Sequence, residues 1–192
     1  MNGKALVAAL TLVVLAGCSG PELREPVDVT STKPPMVFAV ADLTVENESM
    51  VAADTGFRAR QWTERLVEAT AGFLDERLET TSGIGWLLVT IEEVRLIEEE
   101  LPVEGGVRAT FRREPDRVLD ALLRVRLSVM GADGLEQSFV QTEVQRRRPI
   151  LRNTSVMARD AEAERLIGDL MVQFDDELTQ AVRQHLSAYL LS

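Results

Sequence analysis

Cysteine, histidine, lysine and aromatic side chains are all scarce in this chain, and each shortage closes a route. There is one cysteine and one histidine in 192 residues. Cys18 has no second cysteine to pair with, so the fold must stand on its core without a disulfide. His185 would have to centre any catalytic triad or imidazole metal site. Nine aromatics and a formal net charge of −10 make a poor nucleic-acid surface, because neutralising phosphates takes cations. No serine stands in a Gly-x-Ser-x-Gly elbow, and no Gly-x-x-x-x-Gly-Lys-Ser/Thr phosphate loop is present. The spacing of a calcium loop is absent as well. The carboxylate runs Glu98-Glu99-Glu100 and Asp175-Asp176 do not help, since neighbours on a strand point to opposite faces and neighbours on a helix sit about 100° apart. Both runs are expected to be solvated surface. On a helical wheel His185 falls within an apolar stripe, between Leu178 and Tyr189, and is expected at the core margin with its ring hydrogen-bonded. A non-catalytic protein without metal or cofactor is the expectation.

What is present begins at the N-terminus. Met1-Asn2-Gly3-Lys4 is a short positive region, and an apolar run follows from Ala5 to Leu15, interrupted in polarity only by Thr11. The run is about half the roughly 20 residues a spanning helix needs, and Gly17, Ser19, Gly20 and Pro21 end it. A cation, a short apolar segment and small residues are the parts of a signal peptide. Leu15-Ala16-Gly17-Cys18 resembles the lipobox of bacterial lipoproteins. That resemblance implies cleavage between Gly17 and Cys18, diacylglycerol on the Cys18 thiol, and a third acyl chain such as palmitate on the freed amine. Covalent lipid on Cys18 is then the only prosthetic chemistry expected. Ser19 stands where the enterobacterial pattern places an aspartate to retain lipoproteins at the inner membrane, so the resemblance favours the outer membrane, periplasmic face.

Residues 1–17 are thus expected as signal peptide and 18–35 as a lipidated cysteine with a flexible tether. The tether carries Pro21, Pro26, Pro34 and Pro35 and too few apolar residues for a core. Residues 36–192 have the size of a single α/β periplasmic domain. Met36 to Val45 reads as a strand, and apolar residues at three- and four-residue spacing predict a helix over 56–79, capped by Asp54 or Thr55. Trp86 to Ile97 reads as a strand with a bulge near Glu92-Glu93, and 98–116 as a long loop or irregular hairpin. Leu119, Ala121, Leu123, Val125, Leu127 and Val129 alternate with polar residues in the clearest strand, followed by a strand over 135–147 and a helix over 154–190. The order β-α-β-β-β-α calls for a two-layer α/β sandwich, a four-stranded mixed sheet with two helices on one face, one of them a long C-terminal helix. This order behind a lipobox and a proline-bearing tether resembles the lipopolysaccharide-assembly lipoprotein and the auxiliary lipoproteins of lipid-transporting ABC systems. The likeness is one of architecture and transfers no functional residue.

Two sets of residues carry the binding expectations. Helices on one face would leave the other face uncovered, bearing Leu122, Arg124, Arg126, Phe139 and Gln141 as a candidate partner surface. Which residues lie there depends on the hairpin. A two-residue turn at Asp133-Gly134 makes paired numbers sum to 267, opposing Leu127 to Val140 and Arg124 to Glu143. A bulged Gly134 would make the sum 266 and put Leu127 beside Phe139. The second set is arginine: Arg108, Arg112, Arg113 and Arg117 in the long loop, with Arg146, Arg147 and Arg148 after the fourth strand. They are candidate contacts for phosphates of lipopolysaccharide or phospholipid, or else partners for the chain's own carboxylates. The functional expectation is a lipid-anchored, non-catalytic accessory or binding subunit in cell-envelope assembly or transport, partnered by an envelope protein complex. The alternative is direct binding of lipid or lipopolysaccharide in a cavity between helices and sheet.

Overall fold

Strict alternation over 119–129 puts six apolar side chains on one side of a central strand, and they organise everything else. The computed structural model of the chain describes residues 31–50, 56–102 and 115–191. The central strand is β5, Pro115–Met130, flanked by β4, Trp86–Glu100, and β6, Glu136–Leu151, in antiparallel pairing. On the far side of β4, β2, Asp42–Asn47, pairs parallel, giving the order β2-β4-β5-β6. Two further strands, β1 (Met36–Phe38) and β3 (Leu78–Thr80), form a small parallel pair of their own. Helix α1 spans Phe57–Arg77 and α2 spans Val156–His185. Leu66 and Leu74 from α1, Ile167, Leu170 and Phe174 from α2, and Leu87, Leu123 and Leu127 from the sheet belong to one buried cluster. Both helices therefore close the same side of the sheet. The four-stranded mixed sheet, two helices and long C-terminal helix agree with the sequence.

The helices run parallel, held by rungs in matching order. Trp62 Nε1 donates to Asp160 (3.1 Å), Arg65 pairs with Glu164 (2.6 Å), and the Phe73 ring meets Phe174 edge-on at 5.7 Å. Gly56, not Asp54 or Thr55, is the N-cap of α1, and it makes no side-chain cap bond; 51–55 lie outside the described residues. Ser155 caps α2 by accepting from the Ala158 N–H.

Three expectations need correction. The first strand is two, because the chain bends at 39–41: Phe38 and its neighbours pair with β3, and only from Asp42 does it join β4. The element order is therefore β-β-α-β-β-β-β-α. Glu98 to Glu100, read as loop, continue β4 opposite Leu119, Val118 and Arg117, since backbone pairing outweighs their polarity. The last helix stops at His185, before a short 3-10 turn at Ser187–Tyr189, and Leu190 bridges back to Phe38. The expected bulge is there, as a register shift between Ile91 and Glu93.

The hairpin has the expected register and an unexpected turn. Leu127 faces Val140, Val125 faces Thr142, Arg124 faces Glu143 and Asp120 faces Arg147, all summing to 267. At the mouth, however, Met130 faces Glu136, and the register shifts between Val129 and Met130. Gly134 N–H donates to the Gly131 carbonyl (2.9 Å), Gly131 N–H to the Leu135 carbonyl (2.9 Å), and Gly134 has φ 78°. Asp133 does not share that left-handed conformation, so the two-residue type I′ turn is not formed. Its Oδ1 instead accepts from the Leu135 N–H (3.1 Å). The turn is the bulged one, and the extra residue near Gln137 restores the apolar register beyond it.

Candidate functional site

The side of the sheet away from the helices is built from alternate residues of three long strands. Register places Leu88, Ser128 and Phe139 in one row, Thr90, Arg126 and Gln141 in the next, and Glu93, Arg124 and Glu143 in a third. Arg95, Leu122 and Gln145 follow, then Ile97, Asp120 and Arg147. Of the five candidate partner residues, the structure brings Arg124, Arg126, Phe139 and Gln141 together on adjoining rows of this face. Phe139 is 48% exposed, and Gln141 is exposed beside it. Leu122 is on the same face but only 7% exposed, because the long side chains of Arg95 and Gln145 flank it.

Arg126 shapes the apolar end of the face. Its guanidinium carbon lies 3.7 Å from the centre of the Phe139 ring, while Nη2 donates to Glu136 (2.9 Å) and Nε to Ser128 (3.2 Å). Hydrogen bonds from Arg126 and then Ser128 hold Glu136 below the usual carboxylate range. The cation over the ring fixes one face of Phe139 and leaves the other to solvent. Further along, Arg124 bridges Glu143 (2.7 Å) and Glu93 (2.8 Å). Asp120 is 4% exposed although no helix covers it. It accepts from Gln145 (2.8 Å) and Arg95 (3.3 Å), and Arg147 stands 3.9 Å away. The result is a flat surface with an aromatic at one end and ordered, mutually neutralised charges across the middle. It offers shape, an apolar anchor and fixed hydrogen-bonding groups.

The arginine set divides. Arg108, Arg112 and Arg113 lie outside the described residues, as do Gly17 and Cys18. Arg117 pairs with Glu98 (3.4 Å) and Glu100 (3.6 Å), and Arg147 with Glu99 (2.7 Å). Arg146 and Arg148 are on the helix side of β6, where Arg146 donates to Gln173 (2.8 Å) and Arg148 reaches Glu162 (2.8 Å) and Asp169. Arg148 keeps the Glu162 carboxyl below its ordinary range against a smaller opposing effect of burial, with Arg165 assisting. These four guanidiniums are thus engaged within the chain.

His185 is exposed, not at the core margin: Val182 and Leu186 carry the buried stripe past it. Among the described residues no three His, Cys, Asp or Glu side chains gather to hold a metal, and no helix is long and apolar enough to cross a membrane.

A second constellation went unread in the sequence. Arg77, at the end of α1, is 2% exposed, and its Nε donates to Asp175 Oδ1 (2.9 Å) while Nη2 donates to Thr179 Oγ1 (3.0 Å). Its Nη1 reaches the Pro34 carbonyl. Ser31 Oγ donates to the other oxygen of Asp175 (2.8 Å), and Lys33 Nζ sits between Asp175 (3.4 Å) and Asp176 (2.7 Å). Asp175 is thus buried, against the expectation of solvated surface. Burial pushes its carboxyl up, but the hydrogen bonds from Arg77 and Ser31 and the nearby charges outweigh this and leave it below the usual range. The last residues assigned to the tether are fastened to the helices here. A signal did exist: Arg77 follows Phe73 by four positions, and Asp175 follows Met171 by four, so both fall on buried stripes.

Two surface pockets among the described residues lie toward the two ends of the domain. One of about 570 Å³ is an open groove lined by Lys33, Pro34, Asp176, Thr179, Gln180 and Arg183 with Gln184, whose aliphatic portions supply most of the lining. Another of about 190 Å³ lies among Asp116, Arg117, Asn153 and Arg159 at the opposite end.

No protein-family model matches the chain, and no curated protein matches it in sequence. Solved structures with a related outline include rare lipoprotein B from Shewanella oneidensis, at 14% identity and TM-score 0.42, covering 75% of this chain and 95% of that one. A minor lipoprotein from Acinetobacter baumannii shows 15% identity and TM-score 0.38 over 81% of this chain and 96% of its own. Uncharacterized lipoprotein B from Nitrosomonas europaea shows 16% identity and TM-score 0.37, with 86% and 89% covered. All three are bacterial lipoproteins by name, and at these values the likeness assigns no function.

Proposed function

We propose that this chain is an outer-membrane lipoprotein, anchored through acylated Cys18 and facing the periplasm, that acts as a non-catalytic binding subunit in envelope assembly or transport. Its partner is a protein of the envelope, and it lies against the sheet face opposite the helices. The observation that carries this reading is Phe139, half exposed in the middle of no core and held under Arg126 among ordered polar neighbours. Packing in the helix–sheet layer favours it over direct lipid binding: Leu66, Leu74, Leu87, Leu123 and Phe174 are fully buried there in one cluster, on the side chains an acyl chain would have to displace.

The test places a photo-crosslinking amino acid at position 139 in cells, with position 172, exposed on α2, as the control. A discrete envelope protein captured from 139 and not from 172 is the expected result. Equal capture from both removes the sheet face as the contact. The anchor is tested separately. Multiple acyl chains, at about 0.8 kcal/mol per buried methylene, make attachment effectively stable. Cys18→Ala is therefore expected to abolish fatty-acid labelling and to leave the pelleted membranes. A variant that still sediments as the parent does would defeat the anchor.

A further inference from the structure

The domain has two ends, and one of them collects the places where the chain turns nearest its N-terminal segment. Ala41 N–H donates to the Gly85 carbonyl (2.9 Å), and Ala39 N–H to the Tyr189 carbonyl (2.8 Å). A Cβ on Gly83 would stand 2.2 Å from the Ala39 carbonyl oxygen, and one on Gly85 1.9 Å from that of Met130. The connections 39–41, 81–85, 131–135 and 186–191 therefore pack together as one surface. That surface exposes Ile84 (79%) and Leu135 (63%), each on a connection where turn chemistry would favour a polar residue, and Leu191 (51%), whose N–H donates to the Val37 carbonyl (2.9 Å). A single exposed leucine means nothing, but three large aliphatics from separate segments at one end form a patch in need of an occupant.

The occupant is indicated by where the chain leads. Ser31, Lys33 and Pro34 are fastened at this same end to Asp175, Asp176 and Arg77. Only twelve residues separate Ser31 from Cys18, a reach of at most roughly 45 Å at about 3.3–3.6 Å per residue. The opposite end is apolar too, at Met50, Phe57, Leu151, Val156 and Met157, but it lies farther from the fastened segment: α2 begins 19 residues before Asp175, about 28 Å at 1.5 Å each. Turning that end to the bilayer would spend well over half of that reach on the flank of the domain, whereas the near end needs almost none of it. Charge selects the kind of surface, because a chain with net charge −10 is repelled by anionic headgroups.

Resting on the reading that Cys18 is acylated, we infer that the end carrying Ile84, Leu135 and Leu191 lies on a zwitterionic lipid surface, with these side chains in the headgroup region. Contact by three aliphatic tips is weak in isolation and becomes persistent when the anchor keeps the local lipid concentration high. The domain is then held with its sheet face sideways to the membrane, open to a neighbour in the same leaflet.

Acylation of Cys18 leaves no other thiol, so an introduced cysteine is unique in the lipidated full chain. Leu135→Cys and Ile84→Cys are labelled with a polarity-sensitive fluorophore. Met157→Cys and Val172→Cys, exposed on the far end and on α2, serve as controls. Each protein is reconstituted into vesicles of phosphatidylcholine and phosphatidylethanolamine containing a spin-labelled quencher lipid. Quenching at 135 and 84 is expected to exceed that at 157 and 172 by about twofold or more, with a blue-shifted emission. A chain purified from envelopes without acyl groups overturns this inference together with the anchor. An acylated chain that floats with the vesicles while its label at 135 stays in water, or is quenched no more than at 157, overturns this inference alone.

Discussion

Asp175→Ala is expected to destabilise the domain by about 3–5 kcal/mol, among the largest effects available to one substitution, because it strands a buried guanidinium. Arg77 cannot lose its proton, and its surroundings exclude the water that would otherwise solvate it. Without Asp175, it keeps only neutral acceptors, Thr179 and the Pro34 carbonyl. Urea unfolding of the two proteins at neutral pH measures the difference, and a loss under about 1 kcal/mol would mean that water or another carboxylate replaces the partner. The pH dependence carries a second check. The folded carboxyl lies below its unfolded value, about 3.9 for aspartate, so its stabilisation is complete well above that pH. It is lost as pH falls through the folded value, and the unfolded state binds the proton first. The parent is therefore expected to lose stability on acidification below about pH 4 more steeply than Asp175→Asn, which has no carboxyl to titrate there. Replacing both members, as Arg77→Met with Asp175→Leu, is expected to recover part of the loss, since the pair's two desolvation costs disappear together.

That pair also marks where reading the sequence stops being enough. Elements whose burial follows a regular period were legible: β5 from its alternation, both helices from their stripes, and the parallel β2–β4 pairing from the intervening helix. The outer face was legible through the register, because Leu127 against Val140 and Arg124 against Glu143 satisfy apolar and charged matches at once. The turn was not. Asp-Gly supports either a two-residue turn or a bulge, and the choice depends on Asp133 bonding to the Leu135 N–H. The bend at 39–41 was hidden for a similar reason. Val40 is apolar and fully buried, so it reads as strand, whereas its neighbours hydrogen-bond to Gly85 and Tyr189, far off in sequence. Long-range partners also decide the charged sites. Arg77 and Asp175 are 98 residues apart, and Asp175 beside Asp176 reads as solvent-facing charge when Arg77 is not set against it. Exposure of His185 follows from where α2 ends, which no wheel shows.

Phe174 and Phe139 separate stability from binding with the same chemical change. Phe174 is fully buried and meets Phe73 edge-on, with Leu170 and Leu178 on its own stripe. Phe174→Ala removes that contact and opens a cavity in a layer where sheet and both helices meet, so a loss of about 3–5 kcal/mol is expected. Phe139 has half its surface in water already, and its chief contact is the Arg126 guanidinium. A cation over an exposed ring contributes about 0.5–1 kcal/mol, so Phe139→Ala is expected to cost the isolated domain no more than about 1–1.5 kcal/mol with its remaining packing. Its effect belongs elsewhere. On the proposed function, Phe139 is the apolar anchor of the partner face, and anchors of this kind lose 2 kcal/mol or more of binding when truncated, about 30-fold in affinity. Phe139→Ala should therefore fold nearly as the parent does while its recovery in the envelope complex collapses. Phe174→Ala, assayed below its unfolding midpoint, should retain the complex in proportion to the fraction folded. Measured unfolding free energies and co-purification yields for the two variants give four numbers that must cross over in this way. A Phe139→Ala domain that unfolds like Phe174→Ala would place Phe139 in a core, and one that keeps full co-purification would leave the sheet face without a binding role.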